Sequence, residues 1–130
     1  MITNVGTVSL FVDDQDRAKK FYTEKLGFEL RTDAPLSPGS RNRWIAVAPK
    51  GAVTEIILYK PDENWEHYKQ VVGKSQALTL TVTDIKAVYN NLKAKGVEFT
   101  QEPDVQPWGT YAMLKDSEGN TLLLNEIPKE

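Results

Sequence analysis

The chain has 130 residues, 18 acidic against 16 basic side chains for a net charge of −2, one histidine and no cysteine. These figures bound it to one domain, or two small modules sharing a core, and exclude disulfides, thiolate nucleophiles and sulfur-ligated metals. No basic stripe, no leader-like start in MITNVGTVSL and no run of the roughly 18 apolar residues a membrane span needs are present, so nucleic acid and membrane are not expected partners and the cytoplasm is the expected setting.

The first element alternates, with Thr7, Ser9 and Phe11 on one face and Val8, Leu10 and Val12 on the other, as a half-buried strand does. Asp14 then stands as an N-cap, because its carboxylate can accept the free amides of a first helical turn. Ala18, Phe21, Tyr22 and Leu26 recur at helical spacing, and Gly27 supplies the left-handed stop. Phe28 to Arg31 open a second strand, Asp33 to Asn42 (DAPLSPGSRN) read as a loop, and Arg43 to Ala48 with Thr54 to Tyr59 flank a Pro49, Lys50, Gly51 turn as a hairpin.

Lys60 to Ser75, carrying Trp65, His67 and Tyr68, reads as a polar, partly helical connector, after which the order repeats. Ala77, Thr79 and Thr81 alternate with Leu78, Leu80 and Val82; Asp84 caps a helix from Ile85 to about Lys95 that turns Val88 and Leu92 inward; Gly96 ends it. Val97 to Thr100 resume a strand, a loop with Pro103 and Pro107 leads to Trp108 and Gly109, and Tyr111 to Leu114 with Thr121 to Leu124 form a hairpin around Asp116 to Gly119. The expected organisation is one α+β domain over residues 1–130: a βαβββ module over about 1–60, a connector at 61–75 and a second βαβββ module over about 76–130. A lone unit would leave one sheet face uncovered, so the two are expected to combine into a curved mixed-sheet cup.

Two stretches, VDDQDRAKKFYTEKLGFEL at 12–30 and QPWGTYAMLKDSEGNTLLL at 106–124, together with the duplicated plan, resemble the vicinal oxygen chelate superfamily. That group contains glyoxalase I, extradiol dioxygenases and the bleomycin and fosfomycin resistance proteins. The resemblance implies the fold of that group and a metal held by four side chains lining the cup, at positions matching Thr7, Ile56, Ala77 and Leu123 here. None of these is a histidine or a carboxylate, so neither metal nor cofactor is expected. Glu55 would replace Ile56 only by a one-residue slip that turns it to the opposite face, and it reads as a surface or helix-facing charge; His67 reads as solvated.

Strand parity assigns Thr7, Ser9, Phe11, Thr54, Ile56, Leu58, Ala77, Thr79, Thr81, Thr121, Leu123 and Asn125 to the cup, a set without an ionisable group. Trp44 and Trp108 are candidate rim residues able to stack on a ligand, with core or dimer packing as the alternative, and Arg41 and Arg43 read as solvated, with a reach to the cup mouth from the long loop as the alternative. The expected function is metal-free binding of a small aromatic or amphipathic molecule in a neutral cup, in a homodimer of the kind this superfamily often forms. The alternatives are a metal-dependent glyoxalase I-like lyase or extradiol dioxygenase-like enzyme with displaced ligands, and a partner-binding module that uses the cup only structurally.

Overall fold

A computed structural model of the chain describes residues 1–62, 68–75 and 77–128, so the expectations placed on Trp65 and His67 lie outside the described residues. The first half runs β1 (Thr7–Phe11), α1 (Gln15–Lys20) continued by a π-helical turn (Phe21–Lys25), β2 (Glu29–Pro35), β3 (Arg43–Ala48) and β4 (Glu55–Tyr59). A short α2 (Tyr68–Val71) precedes the second half, β5 (Leu78–Thr81), α3 (Ile85–Ala94), β6 (Phe99–Gln106), β7 (Gly109–Lys115) and β8 (Thr121–Glu126). Each half forms a four-stranded mixed sheet, ordered β1-β4-β3-β2 and β5-β8-β7-β6, with the outer β1 parallel to β4 and the outer β5 parallel to β8. The two-module α+β plan read from the repeat is therefore present. Among the described residues no helix is long and apolar enough to cross a membrane.

Local chemistry accounts for the element boundaries. Asp14 accepts the Arg17 amide at 3.0 Å and Asp84 accepts the Ala87 amide at 3.2 Å, so both helices are capped at matching places. Gly27 and Gly96 adopt φ of 75° and 84°, the left-handed stops the repeat requires. The Leu26 amide reaches back five residues to the Phe21 carbonyl, a widened turn that accompanies two successive buried rings, Phe21 and Tyr22.

Two expected loops are shorter than their composition suggests. β2 extends through Asp33 to Pro35 and β6 through Pro103, because both are edge strands, where a missing amide or a charged side chain need not break a ladder. The register of β6 also shifts between Gln101 and Asp104, around Pro103.

The core lies between the two sheets. One cluster joins Leu10, Val12, Ile45 and Leu58 of the first half to Ile85, Leu92, Leu114 and Leu122 of the second. The halves thus share their helix-facing sides, and the other face of each sheet is left outward, with Thr7, Ser9, Thr79 and Thr81 exposed.

A buried polar latch fixes one half to the other. Asp116 Oδ2 accepts the Tyr22 hydroxyl at 2.7 Å and Asn120 Nδ2 at 3.2 Å, while Asp116 Oδ1 accepts the Glu118 and Asn120 amides, each at 2.8 Å. Asn120 also donates to the Phe11 carbonyl at 2.9 Å, and Phe11 donates to Ser75 Oγ at 2.8 Å. The Asp116, Gly119, Asn120 pattern is therefore a hairpin that ties β8 to the end of β1. Burial, reinforced by the Asp116 carboxylate, pushes the Tyr22 hydroxyl pKa well up, so it remains a donor at every working pH.

Glu118 completes the latch from outside, accepting the Asp13 and Asp14 amides at 3.0 and 2.8 Å and Arg17 Nε at 2.6 Å. Burial raises its pKa, but Arg17, the Asp14 and Asp13 amides and the Ser117 hydroxyl together reverse that and leave it below the ordinary glutamate value. A pKa depressed in the folded state gives stability that is complete above the unfolded value of about 4.3 and is lost as pH falls through the folded value. Glu118→Gln is thus expected to lower unfolding free energy by about 1–2 kcal/mol at pH 7. In urea titrations the gap from the parent narrows between pH 5 and pH 3; a pH-independent gap would contradict this.

Candidate functional site

The outward faces of the two sheets carry the candidate site, and their composition follows from register. On β1 and β4, Thr7 lies beside Glu55, Ser9 beside Ile57 and Phe11 beside Tyr59, while Val8 and Leu10 lie beside Ile56 and Leu58. Neighbours in a ladder share a face, so Glu55, Ile57 and Tyr59 accompany Thr7, Ser9 and Phe11. Ile56 and Leu58, expected in the cup, instead belong to the hydrophobic core, at 5 % and 0 % exposure. The physical reason is that EIILY is apolar at three successive positions, so alternation alone does not fix its parity.

The correction introduces charge to a face expected to be neutral. Glu55 is not helix-facing: it sits half-buried beside Thr7 and pairs with Arg31 Nη1 at 3.4 Å. Arg31 also bonds Glu29 and the Pro49 and Ala52 carbonyls, each at 3.1 Å, which ties this cluster to the β3–β4 turn. Further along the same face, Phe11 meets Tyr59 edge-on with ring centroids 6.2 Å apart, and Trp44 pairs with Ala34 on the β2–β3 ladder, about one-third exposed.

The second sheet follows the expected parity. Thr79 lies beside Leu123 and Thr81 beside Asn125, and β7 adds Met113 opposite Leu123 and Tyr111 opposite Asn125. Ala77 is exposed just before β5. Trp108, at the tip of the β6–β7 hairpin, is 55 % exposed and inclined at 34° over Tyr111, with ring centroids 5.2 Å apart. Asp104 faces Tyr111 across β6–β7 and accepts Gln106 Nε2 at 3.0 Å. Tyr111, Asp104 and Tyr59 went unrecognised from the sequence, and Glu55 was weighed there and set aside; the first two stand in a strand pair whose bulges hide its period.

The four positions that would hold a metal become Thr7, Glu55, Ala77 and Leu123 once the register of β4 is corrected. This set offers one carboxylate, already engaged by Arg31, one hydroxyl and two aliphatic groups, and among the described residues no three His, Cys, Asp or Glu side chains converge. Such donors do not fit a divalent transition metal. Ser9, Thr79 and Thr81 have no base beside them in the ladders, and Glu55, the carboxylate beside Thr7, is engaged by Arg31.

A groove of about 910 Å³ opens between the halves, walled by Val8, Leu26, Phe28, Leu78, Leu80 and Val82, and four residues expected in the cup, Thr54, Ile56, Thr79 and Thr81, also line it. It runs beside β1 and β5, which form one edge of each sheet, opposite the β2 and β6 edges.

Comparison with known proteins agrees with this architecture. The family model described as Glyoxalase/Bleomycin resistance protein/Dioxygenase superfamily matches residues 4–124. YetH of Bacillus subtilis (strain 168) is 40% identical over 126 residues, covering 97% of this chain and all of that protein. Among solved structures, TnmS3, an antibiotic binding protein from Streptomyces sp. CB03234, superposes with a TM-score of 0.84 at 36% identity, covering 98% of each chain. A superfamily member from Sphaerobacter thermophilus DSM 20745 superposes with a TM-score of 0.81 at 32% identity, covering 96% of this chain and 98% of that one.

Proposed function

The chain belongs to the glyoxalase/bleomycin resistance protein/dioxygenase superfamily, and from that premise we propose that it is a cytoplasmic binding protein for a small aromatic or amphipathic molecule, acting without a metal. The observation that carries this reading is the composition of the outward faces. Where metal ligands would stand there are Thr7, Ala77, Leu123 and an ion-paired Glu55, while Phe11, Tyr59, Trp44, Trp108 and Tyr111 supply flat apolar surface. Aromatic walls with a few orienting hydroxyls suit holding a ligand better than transforming one. The likeness to TnmS3, an antibiotic binding protein, supports the same class of activity.

One chain supplies only half-walls, because its two outward faces are separated by the shared core. The proposed active unit is a homodimer in which β1 of one copy runs along β5 of the other, twice about a two-fold axis. That arrangement closes the β1 and β5 edges, covers each apolar groove with its counterpart and sets the Thr7 face of one copy beside the Thr79 face of the other. The candidate contacts are then Thr7, Ser9, Phe11 and Trp44 from one copy and Ala77, Thr79, Leu123, Asn125 and Trp108 from the other.

A thermal-shift panel of planar aromatic compounds, antibiotics and thiol conjugates, run on chelator-treated protein, tests the reading. Stabilisation of several degrees by an aromatic member at about a hundredfold excess over its dissociation constant is the expected result. Stabilisation by none of the panel would overturn it.

A further inference from the structure

We propose that the Trp108–Tyr111 corner of the second sheet is a subsite for an organic cation, an ammonium or amidinium group carried on a flat or apolar body. This rests on the binding function proposed above and names the chemistry that one end of the ligand must bring. Thr81, Asn125, Tyr111 and Asp104 stand in line across β5, β8, β7 and β6 on the outward face. The Trp108 ring leans over this row at 5.2 Å from Tyr111 and is more than half exposed, so a π-face is open beside a carboxylate.

Asp104 is half-buried and held by Gln106, yet it takes part in none of the ion pairs among the described residues. The cationic side chain on the same face of β7, Lys115, lies four residues from Tyr111, tied to Thr121 Oγ1 at 2.8 Å and to the Gly119 carbonyl. An extended strand spaces them by about 13 Å, too far to neutralise Asp104 at short range. Asn125 Oδ1 is covered, pressed toward Gly109, and has no hydrogen-bond partner. The row therefore combines an uncompensated carboxylate with aromatic faces, both of which attract positive charge. A carboxylate ligand would meet repulsion at the same place.

The experiment compares 9-aminoacridine, protonated at neutral pH, with acridone, a neutral compound on the same ring frame, by titration against the full chain. 9-Aminoacridine is expected to bind roughly tenfold or more tightly. Asp104→Asn should abolish that preference while leaving the urea midpoint unchanged, and Trp108→Ala should weaken both compounds. Equal binding of the two by the parent, or a preference that survives Asp104→Asn, would overturn the proposal. Failure of both acridines while another aromatic stabilises the protein also overturns the cation subsite and spares the binding function. Failure of every aromatic removes both.

Discussion

Asp116→Ala should lower the unfolding free energy by about 3–5 kcal/mol, the largest loss expected from any single polar substitution in this chain. The side chain is 6 % exposed and receives four donors at once: the Tyr22 hydroxyl, Asn120 Nδ2 and the amides of Glu118 and Asn120. Truncation leaves all four without their acceptor in a place water reaches poorly, and each unsatisfied buried donor costs about 1–3 kcal/mol before relaxation. Tyr22→Phe is the milder companion. It removes one donor and leaves Asp116 three others, so a loss of about 1–2 kcal/mol is expected. Because both act on one network, the double variant should lose less than the sum. Urea unfolding of the four proteins measures this; full additivity would mean that the two halves are not coupled through the hairpin.

The second large effect is expected at the groove. Leu80→Glu places a carboxylate on an apolar wall that the proposed dimer covers; the lysines of the same groove are already engaged, Lys25 over the Phe21 ring and Lys95 at the Glu24 and Lys25 carbonyls. Burying an uncompensated charge costs several kcal/mol, so the dissociation constant of the dimer should rise by a factor of about a hundred or more. Leu80 is only half-buried in the single chain, and the substitution is expected to leave the far-ultraviolet circular dichroism spectrum intact. Sedimentation should show the parent as a dimer and Leu80→Glu as a monomer at micromolar concentration. A variant that remains dimeric, or a parent that is already monomeric, would contradict the arrangement.

Much of the fold was legible because the sequence repeats its punctuation. Asp14 and Asp84 cap, Gly27 and Gly96 stop, and one strand alternates before each helix; local chemistry decides these features, and tertiary context leaves them unchanged. The face of β5 and β8 was legible for the same reason, since Thr79 and Thr81 alternate with leucines. β4 was not. Ile56, Ile57 and Leu58 are apolar and buried at three successive positions, so hydrophobicity carries no phase, and β4 was read one residue out of register. The error set Glu55 aside, concealed Tyr59 and made the face look uncharged.

Asp104 and Tyr111 were hidden by a different cause. Pro103 suggested a loop, whereas an edge strand accommodates it at a register shift and continues to Gln106. The role of Asp116 and Asn120 was visible only as a motif, because their partners Tyr22 and Phe11 lie about a hundred residues away in the chain. Motif spacing marked the positions, and the fold supplied the reason for them.

The most direct measurement of the central claim is a calorimetric titration of chelator-treated protein with the best aromatic ligand from the thermal-shift panel, repeated after adding Mn, Fe, Ni or Zn. Saturation at one ligand per chain, with an affinity that no metal changes, is the result predicted for a dimer enclosing two metal-independent sites. Binding that appears only when a stoichiometric transition metal is restored would contradict it.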